Sequence, residues 1–284
     1  MSNLFTPKII FFDIDDTLSR DGIIAPHNQA TLEALADTDI KLVIATGRAK
    51  PMLPDDILDL LDRGVLDAII CMNGQYSFYN DVDSSDGDSS ENGEELNQVS
   101  NEVVIKHYPL TLPQAEQIVQ ICRQEEVVYK LDSTDYIAWS VAHERIKAMM
   151  VERSYFIVDP DFYKTNEVYQ CSVIFNSLMD KMQHIDFAQY GLKLVHWHNM
   201  GADIIPADAS KARAVQDVCD YYGIAVADAM AFGDGMNDLE MFDLVGCSVA
   251  MGDGQPALIE RADLVTGSIE EFGIQAVLDK FLVT

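Results

Sequence analysis

Basic residues and long apolar runs are both scarce in this 284-residue chain. Lysine and arginine together number 19 against 47 aspartates and glutamates, which gives a formal net charge of −28. That charge opposes binding to nucleic acids and to anionic membranes, so neither is expected as a partner. No stretch approaches the roughly 18 uninterrupted apolar residues of a membrane-spanning helix. The first residues lack the pattern of a signal peptide, and we expect a cytoplasmic protein.

Cysteine pairs of the kind that bind metals are also missing. The five cysteines are scattered along the chain without metal-type spacing. Most of them have apolar neighbours, so we expect reduced thiols in the core rather than disulfides. They are Cys71, Cys122, Cys171, Cys219 and Cys247.

What the chain does contain is 48% hydrophobic residues, enough for a substantial core. Near-continuous apolar strands alternate with helical segments in the first and last parts of the chain, which is typical of βαβ units and a parallel sheet. Strands are predicted at 9–12, 41–45, 68–71, 229–232, 247–250 and 263–265. Helices are predicted at 28–36, 54–62, 210–222, 236–242, 256–261 and 271–281.

A hairpin with an acidic tip follows the first of these parts. Segments 75–79 and 102–107 alternate in polarity as antiparallel strands do. The connection at 81–98 is acidic and rich in Ser, Gly and Asn, which predicts a solvated, mobile tip. A calcium loop is disfavoured there because Asp86 replaces the glycine needed at its sixth position.

The middle of the chain predicts a separate α+β unit at 109–196. Its strands are expected at 127–131, 136–141, 168–175 and 192–197, with helices at 113–125, 142–151 and 179–190. The remaining segments, 1–108 and 197–284, then form one core domain that the chain re-enters near 201–206. At this length two domains are the expected organisation.

The apolar run Ile9–Phe12 ends abruptly at Asp13, Asp15 and Asp16. Ligands in open α/β sheets bind just beyond the carboxyl ends of such strands. Two neighbouring carboxylates repel each other, so they require a cation, a shared proton or both. On this motif alone, a strand-ending turn with a helix cap is an alternative.

Three more polar segments stand at a predicted strand end or helix start. They are Thr46-Gly47-Arg48, Lys211 and the run Gly233-Asp234-Gly235-Met236-Asn237-Asp238. Each alone is compatible with an ordinary turn or a solvated side chain. Four such segments in order predict a phosphoryl-transfer site, in which a divalent cation offsets carboxylate repulsion and N–H groups bind phosphoryl oxygens.

These four segments resemble the four motifs of the haloacid dehalogenase superfamily, and more narrowly its Cof-type, subclass IIB phosphatases. The resemblance extends over the whole chain, and the segment Met72-Asn73-Gly74 also resembles that subclass. It implies a doubly wound, Rossmann-like parallel core sheet with an inserted α+β cap at 109–196, and Mg²⁺ as cofactor. Asp15 favours phosphatase or phosphomutase activity, because dehalogenases lack a carboxylate at this position.

The resemblance also implies a role for each motif residue. Asp13 is the nucleophile that forms an aspartyl-phosphate, and Asp15 is the acid and base. Mg²⁺ is held by Asp13, the backbone carbonyl of Asp15, and Asp234. Asp238 supports the water shell of the metal. The phosphate-binding positions are Ile14, Thr46, Gly47, Lys211 and Asn237.

Selectivity among substrates is expected to come from the cap, because the core recognises only the phosphoryl group. The candidate substrate contacts are Arg48, Asn73, His143 and Arg145. The resemblance implies hydrolysis of small soluble metabolites such as sugar phosphates, nucleotides or cofactor phosphates. A phosphohexomutase and a phospholigand-binding regulator with vestigial activity are the alternatives. A monomer or weak homo-oligomer is expected.

Overall fold

The computed structural model describes residues 5–81, 101–142, 147, 150–151, 153–174, 180–198 and 201–282, with the backbone alone at 180–181 and 197–198. Nearly all of the predicted acidic tip, together with His143 and Arg145, lies outside these residues. Within the described ranges, no helix combines the length and the apolar content needed to cross a membrane.

Strands of the described residues form two large sheets and one short hairpin. In chain order they are β1 (Ile9–Phe12), β2 (Ser19–Arg20), β3 (Ile23–Ile24), β4 (Lys41–Ala45), β5 (Ala68–Cys71), β6 (Tyr76–Asn80), β7 (Glu102–His107), β8 (Val128–Asp132), β9 (Ile137–Trp139), β10 (Phe156–Val158), β11 (Gln170–Ile174), β12 (Leu192–His198), β13 (Gly201–Pro206), β14 (Ala229–Gly233), β15 (Cys247–Ala250) and β16 (Leu264–Val265). The α-helices whose bounds lie within the described residues are Pro26–Leu35, Asp55–Asp62, Leu112–Gln124, Asp180–Gln183, Lys211–Tyr222, Leu239–Phe242, Pro256–Arg261 and Gly273–Phe281.

The core sheet has the strand order β16-β15-β14-β1-β4-β5-β6-β7. Its first six strands are parallel, and β6 and β7 add an antiparallel edge. Ile10 and Phe12 of β1 pack in the apolar cluster of one face, whereas Ile9 and Phe11 pack with helix Lys211–Tyr222 on the other. Because both faces are covered, the central strand β1 is apolar throughout. The predicted doubly wound parallel fold is confirmed.

The second sheet has the order β10-β9-β8-β11-β13-β12 and is antiparallel except between β9 and β10. One face packs on helix Leu112–Gln124, whose Ile118 and Cys122 are buried with residues of β8 and β11. The other face approaches the core domain, since Trp139 and Phe156 join an apolar cluster of the core. This sheet forms the inserted α+β cap.

One strand is placed differently from the prediction. Segment 201–206 was expected in the core domain, but β13 pairs with β11 and β12 in the second sheet. All six of its residues are buried, because one face meets the cap helix side and the other meets the core. A strand covered on both faces has the same apolar pattern in either sheet, so its sequence does not distinguish the two. The second sheet therefore extends to Pro206.

Smaller differences concern short elements of the cap. The helix predicted at 179–190 is a short helix, Asp180–Gln183, followed by a separate 3₁₀ turn, Phe187–Tyr190. The three-residue strand β10 was not predicted, because three residues are too few for a periodic pattern. Most of the helix predicted at 142–151 lies outside the described residues.

Candidate active site

Three strand ends and one helix start meet at the carboxyl edge of the core sheet. β1 lies between β4 and β14, and all three run in the same direction. The residues that follow them, which include Asp13, Thr46 and Asp234, therefore come to one edge. Ser210 caps the first turn of helix Lys211–Tyr222, which brings Lys211 to the same place.

Asp13 is 6% exposed and is held through both its backbone and its carboxylate. Its backbone N–H donates to the carbonyl of Phe232 in β14 at 3.1 Å, which continues the ladder past the end of β1. Its Oδ1 accepts a hydrogen bond from Nζ of Lys211 at 2.6 Å. Burial raises the pKa of Asp13 to about 7, although the ammonium of Lys211 opposes that shift. This carboxyl is thus fixed in position and titrates near neutrality.

Lys211 is buried between two carboxylates. Its Nζ also lies 2.7 Å from Oδ1 of Asp238. Burial lowers the pKa of Lys211, but Asp13 and Asp238 more than offset this and raise it above its usual value. The other oxygen of Asp238 accepts from the backbone N–H groups of Asp234 (3.1 Å) and Gly235 (3.0 Å). Asp238 therefore positions both the lysine and the loop that carries Asp234.

The carboxylates at this edge are arranged to suit a divalent cation. One oxygen from each of Asp13, Asp234 and Asp238 lies within 4.8 Å of the others. Burial, followed by the charges of Asp13 and Asp238, raises the pKa of Asp234 to about 8. Oxygen ligands of this kind are those that Mg²⁺ prefers. Because Asp238 already accepts hydrogen bonds on both oxygens, Asp13 and Asp234 are the side chains best placed to hold a metal.

The turn after Asp13 carries Asp15, which pairs with Arg48. Nε of Arg48 lies 2.8 Å from Oδ2 of Asp15, and Nη2 lies 2.6 Å from Oδ1. The turn is closed by the carbonyl of Ile14, which accepts three backbone hydrogen bonds, at 3.3, 2.9 and 2.8 Å. The side chain of Asp15 is 51% exposed, whereas Asp13 is buried. Two carboxylates of one turn therefore occupy different environments.

The predicted phosphate-binding residues lie next to one another. Thr46 is buried, and its Oγ1 accepts from the backbone N–H of Arg48 at 3.2 Å. A Cβ added at Gly47 would lie 2.9 Å from Oδ1 of Asn73, so a side chain there would crowd the loop. Nδ2 of Asn237 donates to the same Oδ1 of Asn73 at 3.4 Å. The loops after β4, β5 and β14 thus line one surface.

Comparison with known proteins agrees with this geometry. The model of the haloacid dehalogenase-like hydrolase family matches residues 10–278. The chain belongs to this family. Its assignment as a haloacid dehalogenase-type phosphatase is confirmed by this match together with the relatives below.

One similar solved structure is the subclass IIB sugar phosphatase BT4131, with a TM-score of 0.76 and 25% identity over 98% of this chain and 100% of that one. A phosphoglycolate phosphatase of Archaeoglobus fulgidus is 28% identical over 275 residues, 97% of each chain. A Streptococcus pyogenes protein, whose name combines a phosphatase with a peptidyl-prolyl cis-trans isomerase, is 29% identical over 281 residues. That match covers 96% of this hydrolase but only 53% of the streptococcal protein.

Most of the predicted site residues of this hydrolase are near one another. Arg48 and Asn73, expected as substrate contacts, make contacts within the protein: Arg48 with Asp15, and Asn73 with Asn237 and the cap. Their contact with substrate stays a prediction. His143 and Arg145 lie outside the described residues, so their role stays a prediction. The residues that meet at the edge are Asp13, Thr46, Gly47, Asn73, Lys211, Asp234, Asn237 and Asp238.

A set of buried polar residues on the second sheet was missed by sequence reasoning. We call this set the cap cluster, and it consists of Lys130, Asp132, Gln170, Ser172 and Asp203. The signal for it was the polar residue at every second position of β8 and β11. That pattern is normally interpreted as a solvent-facing side of a strand.

The cap cluster touches the loops of the core domain. Nδ2 of Asn73 donates to Oε1 of Gln170 at 3.2 Å and to Oδ2 of Asp203 at 3.1 Å. Nε2 of Gln170 donates to the carbonyl of Gly47 at 3.2 Å. The backbone of Asn73 is left-handed (φ 55°), a conformation that asparagine adopts more readily than most residues. Through Asn73 and Gln170, the cap lies against the predicted phosphate-binding loops.

Proposed function

We propose that this protein is a Mg²⁺-dependent phosphatase that hydrolyses small phosphorylated metabolites through an aspartyl-phosphate on Asp13. The buried contact between Lys211 and Asp13, at the edge where Asp234 also lies, carries the proposal. Phosphoryl transfer depends mainly on positioning and on stabilising negative charge. A fixed carboxylate, an ammonium and a cation site within one small region supply both requirements.

The first half of the reaction transfers the phosphoryl group to the protein. A carboxylate oxygen of Asp13 attacks phosphorus, and the bond between phosphorus and the leaving oxygen breaks. Asp15 gives its proton to that oxygen, so that the leaving group departs as an alcohol. Lys211, Thr46 and the backbone N–H groups around Gly47 bind the phosphoryl oxygens.

The second half restores the protein. Asp15, now ionised, takes a proton from a water molecule whose oxygen attacks phosphorus, and the bond from phosphorus to Asp13 breaks. Inorganic phosphate then leaves. Asp13, Asp234 and the carbonyl of Asp15 are the groups that would hold Mg²⁺, which when bound supplies positive charge that offsets the phosphate dianion.

The names of two relatives support a small-molecule substrate but differ in its chemistry. One acts on sugar phosphates, where the alcohol that leaves is an uncharged polyol. The other is a phosphoglycolate phosphatase, where the alcohol that leaves carries a carboxylate. Both are small phosphate monoesters, and this is the class proposed for the present protein.

Release of inorganic phosphate from p-nitrophenyl phosphate, with and without Mg²⁺, tests the proposal. Asp13→Asn is expected to lower turnover by at least about 10³-fold, because an amide does not form the covalent intermediate. Its thermal unfolding midpoint should stay close to that of the wild type. The matched control is Asp16→Asn in the same turn, where the left-handed backbone (φ 55°) accepts asparagine. The control is expected to remain within about threefold of the wild-type rate.

Four results would contradict parts of the proposal. Near-wild-type activity of Asp13→Asn would exclude Asp13 as the nucleophile. Isomerisation of a hexose phosphate without release of inorganic phosphate would favour the phosphohexomutase. Tight binding of phosphate without turnover of any ester would favour a regulatory protein. Full activity after removal of all divalent cations would exclude the metal requirement.

A further inference from the structure

The cap cluster places charged side chains where the fold does not require them. Neighbouring positions on the same face of the second sheet, Ile137, Trp139 and Phe156, pack in an apolar cluster with the core. Burying an ion pair is costly, and replacing it by apolar residues is often neutral or stabilising. Asp132 is fully buried and Lys130 nearly so. Charges kept in such a place point to a role in binding.

The hydrogen bonds within the cap cluster leave one carboxylate oxygen able to accept a further hydrogen bond. Nζ of Lys130 lies 2.7 and 2.5 Å from the two oxygens of Asp132. Oγ of Ser172 lies 2.7 Å from Oδ1 of Asp203 and 3.2 Å from Oδ2 of Asp132. A hydroxyl carries a single proton, so Ser172 donates to one of these carboxylates at a time. Oδ2 of Asp132 also accepts from Nε2 of Gln170 at 2.9 Å, whereas Oδ1 accepts from Lys130 alone among the described residues, so Oδ1 can accept from a hydroxyl group of a ligand.

Trp139 provides a second, independent sign of a ligand. It stands opposite Lys130 in the pairing of β8 with β9, so both side chains lie on the face turned towards the core domain. Trp139 is only 5% exposed, and its Nε1 is buried without a hydrogen-bond partner among the described residues. An indole N–H buried in this way is costly. A ligand oxygen bound on this face would accept its hydrogen bond.

The cap cluster is also in the right place to meet the leaving group of a substrate. Gln170 donates to the carbonyl of Gly47, and Asp203 accepts from Asn73. Gly47 belongs to a loop that we propose to bind the phosphate, and Asn73 contacts Asn237 of another such loop. A leaving group attached to a phosphate bound beside Gly47 would therefore lie next to the face of the second sheet that carries the cluster.

Resting on the proposed function, we infer that the cap cluster selects substrates whose leaving group is an uncharged polyol. Asp132 accepts a hydrogen bond from one of its hydroxyl groups, and Trp139 donates to one of its oxygens. The two carboxylates outweigh the single ammonium of Lys130, so a leaving group that carries a carboxylate or a second phosphate is repelled. Selection therefore depends on the charge of the leaving group as well as on its shape.

A pair of open-chain substrates tests this inference on the wild-type protein. Sorbitol 6-phosphate and 6-phosphogluconate differ at the far end of the chain, where one has a hydroxymethyl group and the other a carboxylate. We expect kcat/KM with Mg²⁺ to be at least about tenfold higher for sorbitol 6-phosphate, as a single unfavourable charge contact would give. A kcat/KM for 6-phosphogluconate that equals or exceeds that for sorbitol 6-phosphate overturns the inference.

Two variants that change the charge of the cap cluster distinguish a role in substrate selection from a purely structural role. Asp132→Asn removes one negative charge and leaves Lys130 without its counter-charge. The ratio of kcat/KM for sorbitol 6-phosphate to kcat/KM for 6-phosphogluconate should therefore fall by about tenfold. Lys130→Gln removes the positive charge, so the ratio should rise. A purely structural role would lower both rates by a similar factor and leave the ratio unchanged in both variants. If Asp132→Asn does not fold, Asp203→Asn removes the other negative charge and should also lower the ratio.

Hydrolysis of p-nitrophenyl phosphate distinguishes failure of this inference from failure of the proposed function. No turnover of any of the three esters with Mg²⁺ present would overturn the proposed function itself. Turnover of the aryl phosphate together with an unselective ratio would overturn only the role of the cap cluster. Turnover of the aryl phosphate without hydrolysis of either open-chain phosphate would also overturn only the role of the cap cluster.

Discussion

Gly74 lies directly against the backbone carbonyl of Ser210. A Cβ built on Gly74 would collide with that oxygen, and the backbone of Gly74 is left-handed (φ +90°). Glycine is therefore required here both for its conformation and for the close approach. Through this contact the turn that carries Asn73 packs on the residue that caps the helix of Lys211. The turn of Asn73 and the helix of Lys211 are thus joined by this backbone contact.

Gly74→Ala is expected to lower the free energy of unfolding by at least about 2 kcal/mol, because backbone strain and the collision add together. The matched control is Gly223→Ala, which has a similar left-handed backbone (φ +67°) but open space around its Cβ. It should cost only about 1 kcal/mol, the penalty for the conformation. Urea unfolding of both variants measures the difference. Equal losses would show that the contact with Ser210 is unimportant.

Arg48→Lys should lower kcat on p-nitrophenyl phosphate by about 10- to 100-fold, because misplacing a catalytic group by about 1 Å has effects of this size. Arg48 binds both oxygens of Asp15 through a planar fork, whereas lysine offers a single point charge. Arg63→Lys is the control, since Arg63 makes exposed ion pairs with Asp59 and Glu33. A rate for Arg48→Lys within twofold of that control would contradict a positioning role for Arg48.

Metal-free protein should lose stability as the pH rises. Burial raises the pKa of Asp13 to about 7 and that of Asp234 to about 8, from a usual value of 3.8. Between pH 3.8 and these values, the folded state binds more protons than the unfolded state. The free energy of unfolding therefore falls with increasing pH across this window. Urea unfolding in the presence of a chelator, at several pH values, measures how the free energy of unfolding changes with pH. A free energy of unfolding that rises with pH because of these two carboxyls would contradict their raised pKa values.

Mg²⁺ should stabilise the protein more at high pH than at low pH. A cation held by Asp13 and Asp234 must displace the protons that these carboxyls carry near neutrality. The rise in thermal midpoint on adding Mg²⁺ is thus expected to be larger at about pH 8.5 than at about pH 6. Calorimetry in buffers of different ionisation enthalpy would also detect the released protons. A larger effect at the lower pH would exclude these carboxyls as ligands.

Lys211→Met is expected to lower the free energy of unfolding of metal-free protein by about 3 to 5 kcal/mol. The substitution leaves Asp13 and Asp238 buried without the ammonium that both of them contact. Lys8→Met is the control, because the pair formed by Lys8 and Asp228 is exposed and worth at most about 1 kcal/mol. Urea unfolding in a chelator compares the two. Equally small losses of unfolding free energy in both variants would mean that the buried contacts of Lys211 contribute little to stability.

The core sheet was predictable from sequence because its strands are buried on both faces. Uninterrupted apolar residues mark β1 and β5, and β4 is apolar after Lys41; the polar residues that follow these strands mark the edge where ligands bind. This pattern predicts that Asp13, Asp234 and Lys211 lie close together.

The contacts of the cap were not predictable in the same way. Lys130 and Asp132 alternate with apolar residues as they would in a strand with one solvated face, yet both are buried, on the face of the second sheet that contacts the core domain. Likewise, sequence indicated a cation at Arg48 but not its partner Asp15, which depends on how two loops approach each other. Side-chain pairing across loops is a property of the assembled fold.

The position of β1 has a consequence for synthesis of the chain. One edge of β1 pairs with β4, which follows soon after it, but its other edge pairs with Ala229–Gly233. Until that distant segment leaves the ribosome, an apolar strand in the centre of the future sheet has unpaired backbone groups. A nascent or truncated chain that stops before Ala229 would therefore expose a surface prone to aggregation. Folding of this protein should depend on chaperone protection during the later part of translation.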